Sequence, residues 1–110
     1  MMKRFAFFTV FTLAMCTMVC AQVKVVAHRG YWTTPGSAQN SIASITKADA
    51  IGAFGSEFDV WMTTDGKLVV NHDKSFKGVN METTPFAEIR KVYLDNGEQL
   101  PTLDEYLKHA

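Results

Sequence analysis

Val23-Lys24-Val25-Val26-Ala27-His28-Arg29-Gly30 is the stretch on which the reading of the fold turns. A short, mostly apolar run stopped by a glycine-containing loop predicts a buried strand over residues 23–27, with His28, Arg29 and Gly30 just past its carboxyl end. Pro35, Gly36 and Ser37 mark the loop that follows. Asn40 or Ser41 can then cap a helix whose Ile42, Ile45, Ala48 and Ile51 share one face until Gly52 stops it. The next stretch, Gly55-Ser56-Glu57-Phe58-Asp59-Val60-Trp61-Met62, alternates polar and apolar residues and predicts a second strand. Strand, helix, strand is the opening of a parallel βαβ unit, so the fold class is α/β. The carboxyl ends of such strands are where α/β enzymes place their reactive groups.

Downstream, Asp65-Gly66 between two strand-like runs predicts a hairpin closed by a two-residue turn. In that register Asp59 faces His72, and Glu57, two residues before Asp59, projects from the same side of the strand. Two carboxylates this close repel unless water or a cation compensates them, and hard divalent ions prefer such oxygen ligands. A histidine set beside them is suited to acid/base work near neutral pH. The alternative is a solvated outer face of an edge strand. Asp73 either orients His72 or simply begins the next loop, the second role requiring less. Thr84-Pro85 predicts a helix start with proline at the first helical position and Phe86, Ile89, Val92 and Tyr93 as its apolar face. Thr102 with Glu105 forms a capping box after Pro101, opening a last helix toward Ala110. His109 sits in that helix's final turn, where a cation suits the macrodipole, and reads as structural. Tyr31, Trp32 and Trp61 could wall a ligand cleft but read mainly as core or rim residues, and Phe76 and Met81, in a loop after His72, could line an apolar entry, the weaker reading.

Length and composition set the frame for these elements. The chain has 110 residues, 47% of them apolar and 20% charged, which disfavours disordered, collagen-like and coiled-coil classes. Residues 1–21 differ from the rest: Lys3 and Arg4, an apolar run to Cys20, then Ala21 before Gln22. That is the pattern of a secretory signal peptide, and it makes the protein an exported one, periplasmic or secreted. A membrane anchor is the alternative, but the run is shorter than the ~20 residues a spanning helix needs, so no stable span is expected after cleavage. Lipidation of Cys16 or Cys20 is weaker still, because Met15 and Val19 stand where a small residue is usually required. Cleavage after Ala21 removes both cysteines and leaves residues 22–110 free of disulfides. Lysines and arginines are dispersed, so nucleic acid is not an expected partner. No repeat or linker interrupts 22–110, which reads as one domain. Two main parallel strands within residues 22–110 fall well short of the eight strands and ~250 residues of a closed barrel, so the domain reads as incomplete.

Taken in order, His28-Arg29-Gly30, Glu57-Phe58-Asp59-Val60, Asp65-Gly66, Val69-Val70-Asn71-His72-Asp73 and Leu100-Pro101-Thr102-Leu103-Asp104-Glu105-Tyr106-Leu107 resemble the amino-terminal part of the glycerophosphodiester phosphodiesterase family. The matches cover nearly all of the chain after Ala21. The resemblance implies a phospholipase-C-like TIM (β/α)8 barrel, of which 22–110 would be the amino-terminal portion. It also implies metal-dependent hydrolysis of small glycerophosphodiesters to an alcohol and glycerol 3-phosphate, with Ca²⁺ or Mg²⁺ as the divalent cation. His28 and His72 would then be the acid/base pair, Arg29 the phosphate holder, and Glu57 and Asp59 metal ligands. The attacking group would be the substrate's own glycerol hydroxyl, giving a cyclic phosphate that water opens. Two departures accompany the match. Ala38-Gln39-Asn40 stands where the family usually has Pro-Glu-Asn, and the family's further metal-binding Glu would fall beyond Ala110. A non-catalytic binding fragment and a phospholipase C or sphingomyelinase D relative are the competing readings, and the oligomeric state is left open.

Overall fold

Residues 21–110 are described in the computed structural model; apart from Ala21, the proposed signal peptide at 1–21 lies outside the described residues. Strand β1 is Val26–His28, followed by helix α1, Ile42–Ala50, and strand β2, Gly55–Glu57. β1 and β2 pair in parallel, with Val26 opposite Gly55, Ala27 opposite Ser56 and His28 opposite Glu57. The first strand is therefore shorter and later than the predicted 23–27. Among the described residues its partner strand starts after the Gly52 turn, and upstream of β1 only the Val25 carbonyl is paired, accepting from the Phe54 N–H at 2.8 Å. His28 thus belongs to the strand end itself.

α1 begins where the sequence predicts. The Ser41 hydroxyl accepts from the Ser44 N–H, and Gly52 follows the helix with φ of 72°. A second cap comes from far along the chain: both Glu98 carboxylate oxygens accept from the N–H groups of Ile42 and Ala43, at 3.1 and 3.3 Å. Negative charge is favoured there by the helix dipole.

The stretch predicted as one strand over 55–62 is two. β2 ends at Glu57, and β3, Val60–Met62, turns to pair antiparallel with β4, Leu68–Val70. Phe58 and Asp59 form the switch between these partners, with Phe58 packing its ring 4.8 Å from that of Tyr106. The hairpin register also corrects the sequence reading. Val60 pairs with Val70, so Asp59 stands opposite Asn71 and not His72; the Asn71 N–H donates to the Asp59 carbonyl at 3.1 Å. The cause is the turn. Gly66 N–H donates to the Thr63 carbonyl at 3.0 Å and Gly66 takes a left-handed φ of 80°, so three residues, not two, close the loop. A one-residue change of register sends every side chain to the other face.

β5, Ser75–Phe76, and β6, Val79–Asn80, form a small hairpin absent from the sequence reading. Helix α2 is only Phe86–Ile89, with Pro85 as its cap instead of its first residue. Val92 and Tyr93 leave the helix because the chain doubles back, pairing Tyr93 with Gln99. α3, Leu103–Leu107, carries the predicted capping box between Thr102 and Glu105.

Two apolar clusters lie on either side of β4. Val69, Met81, Ile89 and Leu100 form one, with Trp61, Phe76, Val79 and Phe86 against it; Ile45, Val70 and Tyr106 form the other. Met81, predicted in a loop, is a core residue because the β5–β6 hairpin folds it inward; its N–H donates to the Lys74 carbonyl at 2.8 Å. Among the described residues no helix is long and apolar enough to cross a membrane.

Candidate functional site

Parallel register places the first pair of candidate groups. Because His28 and Glu57 are partners at the carboxyl ends of β1 and β2, the His28 Nε2 comes to 3.7 Å from the Glu57 Oε2. The chain then turns sharply. Arg29 adopts a left-handed φ of 59°, its N–H donates to Glu57 Oε2 at 3.2 Å, and Gly30 follows at φ 78°. Gly30 is buried against α1, where an added Cβ would fall inside the Ser44 side chain. The His-Arg-Gly sequence is thus a geometric requirement: only a residue without a side chain lets the loop press against α1 and swing Arg29 across the strand ends.

That swing brings Arg29 to His72. One guanidinium nitrogen, Nη2, lies 2.8 Å from His72 Nε2, and the other, Nη1, donates to Gln39 Oε1 at 2.7 Å. Arginine can only donate, so His72 Nε2 must be unprotonated here. Its hydrogen sits on Nδ1, 2.7 Å from the Asp73 carboxylate, which can only accept. Asp73 therefore orients His72, the role the sequence reading set aside. Its two neighbours together favour one tautomer, with the Nε2 lone pair turned to Arg29.

Of the five candidate residues, His28, Arg29, Glu57 and His72 form one connected group through these contacts. Asp59 is placed differently from the sequence reading. Its backbone pairs with Asn71, and its Oδ2 is buried without a hydrogen-bond partner. A buried, unpaired carboxylate oxygen is costly unless a cation or donor meets it. With Glu57 it offers hard oxygen donors of the kind a divalent cation takes, and so fits part of a ligand set. Among the described residues no group of three or more His, Cys, Asp or Glu is placed to hold a metal ion.

A cavity of about 370 Å³ opens beside His72, its wall including Trp32, Gln39, Asn40, Asn71, Asp73 and Phe76. Asn40 and Asn71 were not singled out as site residues from sequence. Asn40 is 3% exposed with an unpartnered Oδ1, and Asn71 uses its amide to donate to the Asp73 carbonyl at 2.6 Å. The signal for Asn71 was present in the sequence as a polar residue next to His72 at a strand end. Trp32 is at the cavity rim as expected, whereas Trp61 packs against the core and donates to the Asn71 carbonyl at 3.0 Å. His109 is peripheral, held by the Glu105 carbonyl at 2.9 Å.

A model described as the glycerophosphoryl diester phosphodiesterase family matches residues 28–110. Over 93 residues the chain is 34% identical to a glycerophosphodiester phosphodiesterase of Caldanaerobacter subterraneus, covering 74% of this chain and 37% of that relative. A crystal structure of a glycerophosphodiester phosphodiesterase from Parabacteroides distasonis is similar at a TM-score of 0.76 and 55% identity, over 78% of this chain and 36% of that one. A phosphodiesterase from Oleispira antarctica, solved in complex with the product sn-glycerol-3-phosphate, is similar at a TM-score of 0.64 and 31% identity, over 79% and 39% of the two chains. The chain thus spans little more than a third of the length of these relatives.

Proposed function

The chain belongs to the glycerophosphoryl diester phosphodiesterase family, its α/β fold being part of a TIM-type barrel, and we propose that the protein hydrolyses glycerophosphodiesters to an alcohol and sn-glycerol 3-phosphate. The observation that carries this reading is the connected group at the strand ends: Arg29 spans from the Glu57 carboxylate, which faces His28, to the Nε2 of His72.

In this scheme the Arg29 guanidinium leaves His72 for the phosphodiester anion, a stronger acceptor than a neutral imidazole, and so frees the Nε2 lone pair as substrate arrives. His28 and His72 are the acid/base pair. One takes the proton of the attacking glycerol hydroxyl; the other gives a proton to the departing alcohol oxygen, so that the P–O bond to the alcohol breaks as the new P–O bond forms. Water then opens the cyclic phosphate with the two imidazoles exchanging roles. Asp73 keeps His72 in the productive tautomer throughout. Glu57 and Asp59 would hold a divalent cation, Ca²⁺ or Mg²⁺, which when bound neutralises charge on the non-bridging phosphate oxygens. Small glycerophosphodiesters from phospholipid breakdown are the substrate class. Residues 22–110 form the barrel portion and 1–21 a cleaved leader that exports it, supported by the Lys3-Arg4 start and apolar run; sequencing of the mature amino terminus should then begin at Gln22.

The test is turnover of glycerophosphocholine and glycerophosphoethanolamine by the protein at its full natural length, with Ca²⁺, Mg²⁺ or chelator. Release of sn-glycerol 3-phosphate that stops on chelation is the expected result. Folded protein that leaves both substrates intact with every metal contradicts it. Glu57→Ala should weaken metal binding while His72→Ala spares it, and equal metal loss from both variants contradicts that division of roles.

A further inference from the structure

Arg29 is held by neutral groups only. Gln39 Oε1 accepts from Nη1, His72 Nε2 accepts from Nη2, and the buried Nε has no partner. Among the described residues no ion pair within 4.0 Å joins this guanidinium to a carboxylate; the Glu57 carboxylate touches the Arg29 backbone N–H instead. Arg90, by contrast, is neutralised by a bidentate contact with Glu105 at 2.8 and 2.9 Å.

The placement of Gln39 is built into the backbone. Arg29 and Asn40 both take left-handed conformations, at φ 59° and 56°, and are tied together where the Asn40 N–H donates to the Arg29 carbonyl at 3.0 Å. Asn tolerates this conformation and Arg rarely adopts it, so the tie holds the loop at Arg29 against its preference. Gln39 immediately precedes Asn40, so this tie holds its backbone beside Arg29, and its carboxamide oxygen accepts from the guanidinium at 2.7 Å.

We propose that Gln39 is a positioning residue: its neutral carboxamide fixes the Arg29 guanidinium beside His72 while leaving the positive charge uncompensated for a phosphate anion. The inference rests on the phosphodiesterase reading given above and deepens it. The glutamate that the resembled family usually has at this position would hold the guanidinium at least as firmly, but as an ion pair that offsets part of the charge offered to substrate. A glutamine side chain gives the orientation without that offset.

The experiment compares wild type with Gln39→Glu and Gln39→Ala at full natural length. It measures kcat and KM on glycerophosphocholine, affinity for inorganic phosphate by calorimetry at two NaCl concentrations, and thermal unfolding. Gln39→Glu should weaken phosphate binding and raise KM by about tenfold, with a smaller fall in kcat and an unchanged melting curve. Its phosphate affinity should also respond less to salt, because less net charge is offered. Gln39→Ala should raise KM by about threefold, through lost orientation alone. Unchanged phosphate affinity in Gln39→Glu, or a loss of stability and kcat together with KM intact, overturns the inference while wild-type turnover keeps the phosphodiesterase reading. Phosphate binding that depends on Gln39 in a protein that leaves every glycerophosphodiester intact supports the inference and removes only that reading. No phosphate binding by wild type overturns both.

Discussion

The Val69 cluster beside β4 and the ends of β1 and β2 solve opposite problems. Around Val69, the side chains of Met81, Ile89 and Leu100 are fully buried and the polar groups nearby are paired: Arg90 with Glu105, Thr102 within its capping box, Asp65 with Thr63 and the Phe86 N–H. At the ends of β1 and β2, His28 is 68% exposed at its side chain, Arg29 and Asn40 are left-handed, and Arg29 Nε, Asn40 Oδ1 and Asp59 Oδ2 are buried without partners. The first region stores stability and the second holds unmet demand. Unsatisfied buried groups and strained backbone cost free energy, and they persist where a ligand completes them. The difference separates the residues that keep the fold from those proposed to carry the chemistry.

Substitutions should divide along the same line. His72→Ala is expected to reduce turnover by about a hundred- to ten-thousandfold with little change in melting temperature, read by steady-state kinetics and calorimetry. A variant that loses stability in proportion to activity would make His72 a structural residue and collapse the distinction. Leu100→Ala should do the reverse, costing about 2–5 kcal/mol of stability in chemical denaturation, because it empties the centre of the core cluster. Gly30→Ala tests where the regions join. It should cost about 1–3 kcal/mol and lower activity as well, since the added methyl meets Ser44 and the loop that carries Arg29 must shift.

The smallest effect expected is on pH dependence. The Asp65 carboxyl lies below its ordinary value, held there first by the Thr63 hydroxyl at 2.5 Å and then by the Phe86 N–H at 3.0 Å. A depressed folded-state pKa means this contribution is present above the usual aspartate range and lost as pH falls through the lowered value. Wild type and Asp65→Asn should therefore converge in stability as the solution is acidified, in denaturation curves taken from neutral pH downward. A gap that widens on acidification would reverse the assignment.

Local chemistry made several elements legible in the sequence. Ser41 and Gly52 delimit α1, Thr102 and Glu105 open α3, and Asp65-Gly66 announces a hairpin, because each signal lies within a few residues of what it specifies. What failed depended on partners elsewhere. Asp-Gly serves both a two-residue turn and the three-residue turn found here, so the register shifted by one and moved Asp59 from His72 to Asn71. The break between β2 and β3 at Phe58 and Asp59 reflects a change of partner that periodicity does not carry. The β5–β6 turn uses Lys77 at a φ of 48°, an unusual residue for that conformation. Glu98 reaches α1 from across the chain, invisible to local capping rules. The candidate site shows the same division. His28, Arg29, Glu57 and His72 do meet, through the parallel register and the Arg29 turn instead of through the hairpin pairing that first suggested it.

A crystal structure of the protein at full natural length, grown with sn-glycerol 3-phosphate and a divalent cation, tests the proposed site most directly. The expected result is a phosphate group on the Arg29 guanidinium, between His28 and His72, with the cation touching Glu57 and Asp59. Product bound on another surface, with Arg29 still closed onto His72 and Asp59 turned away from any ion, would contradict it.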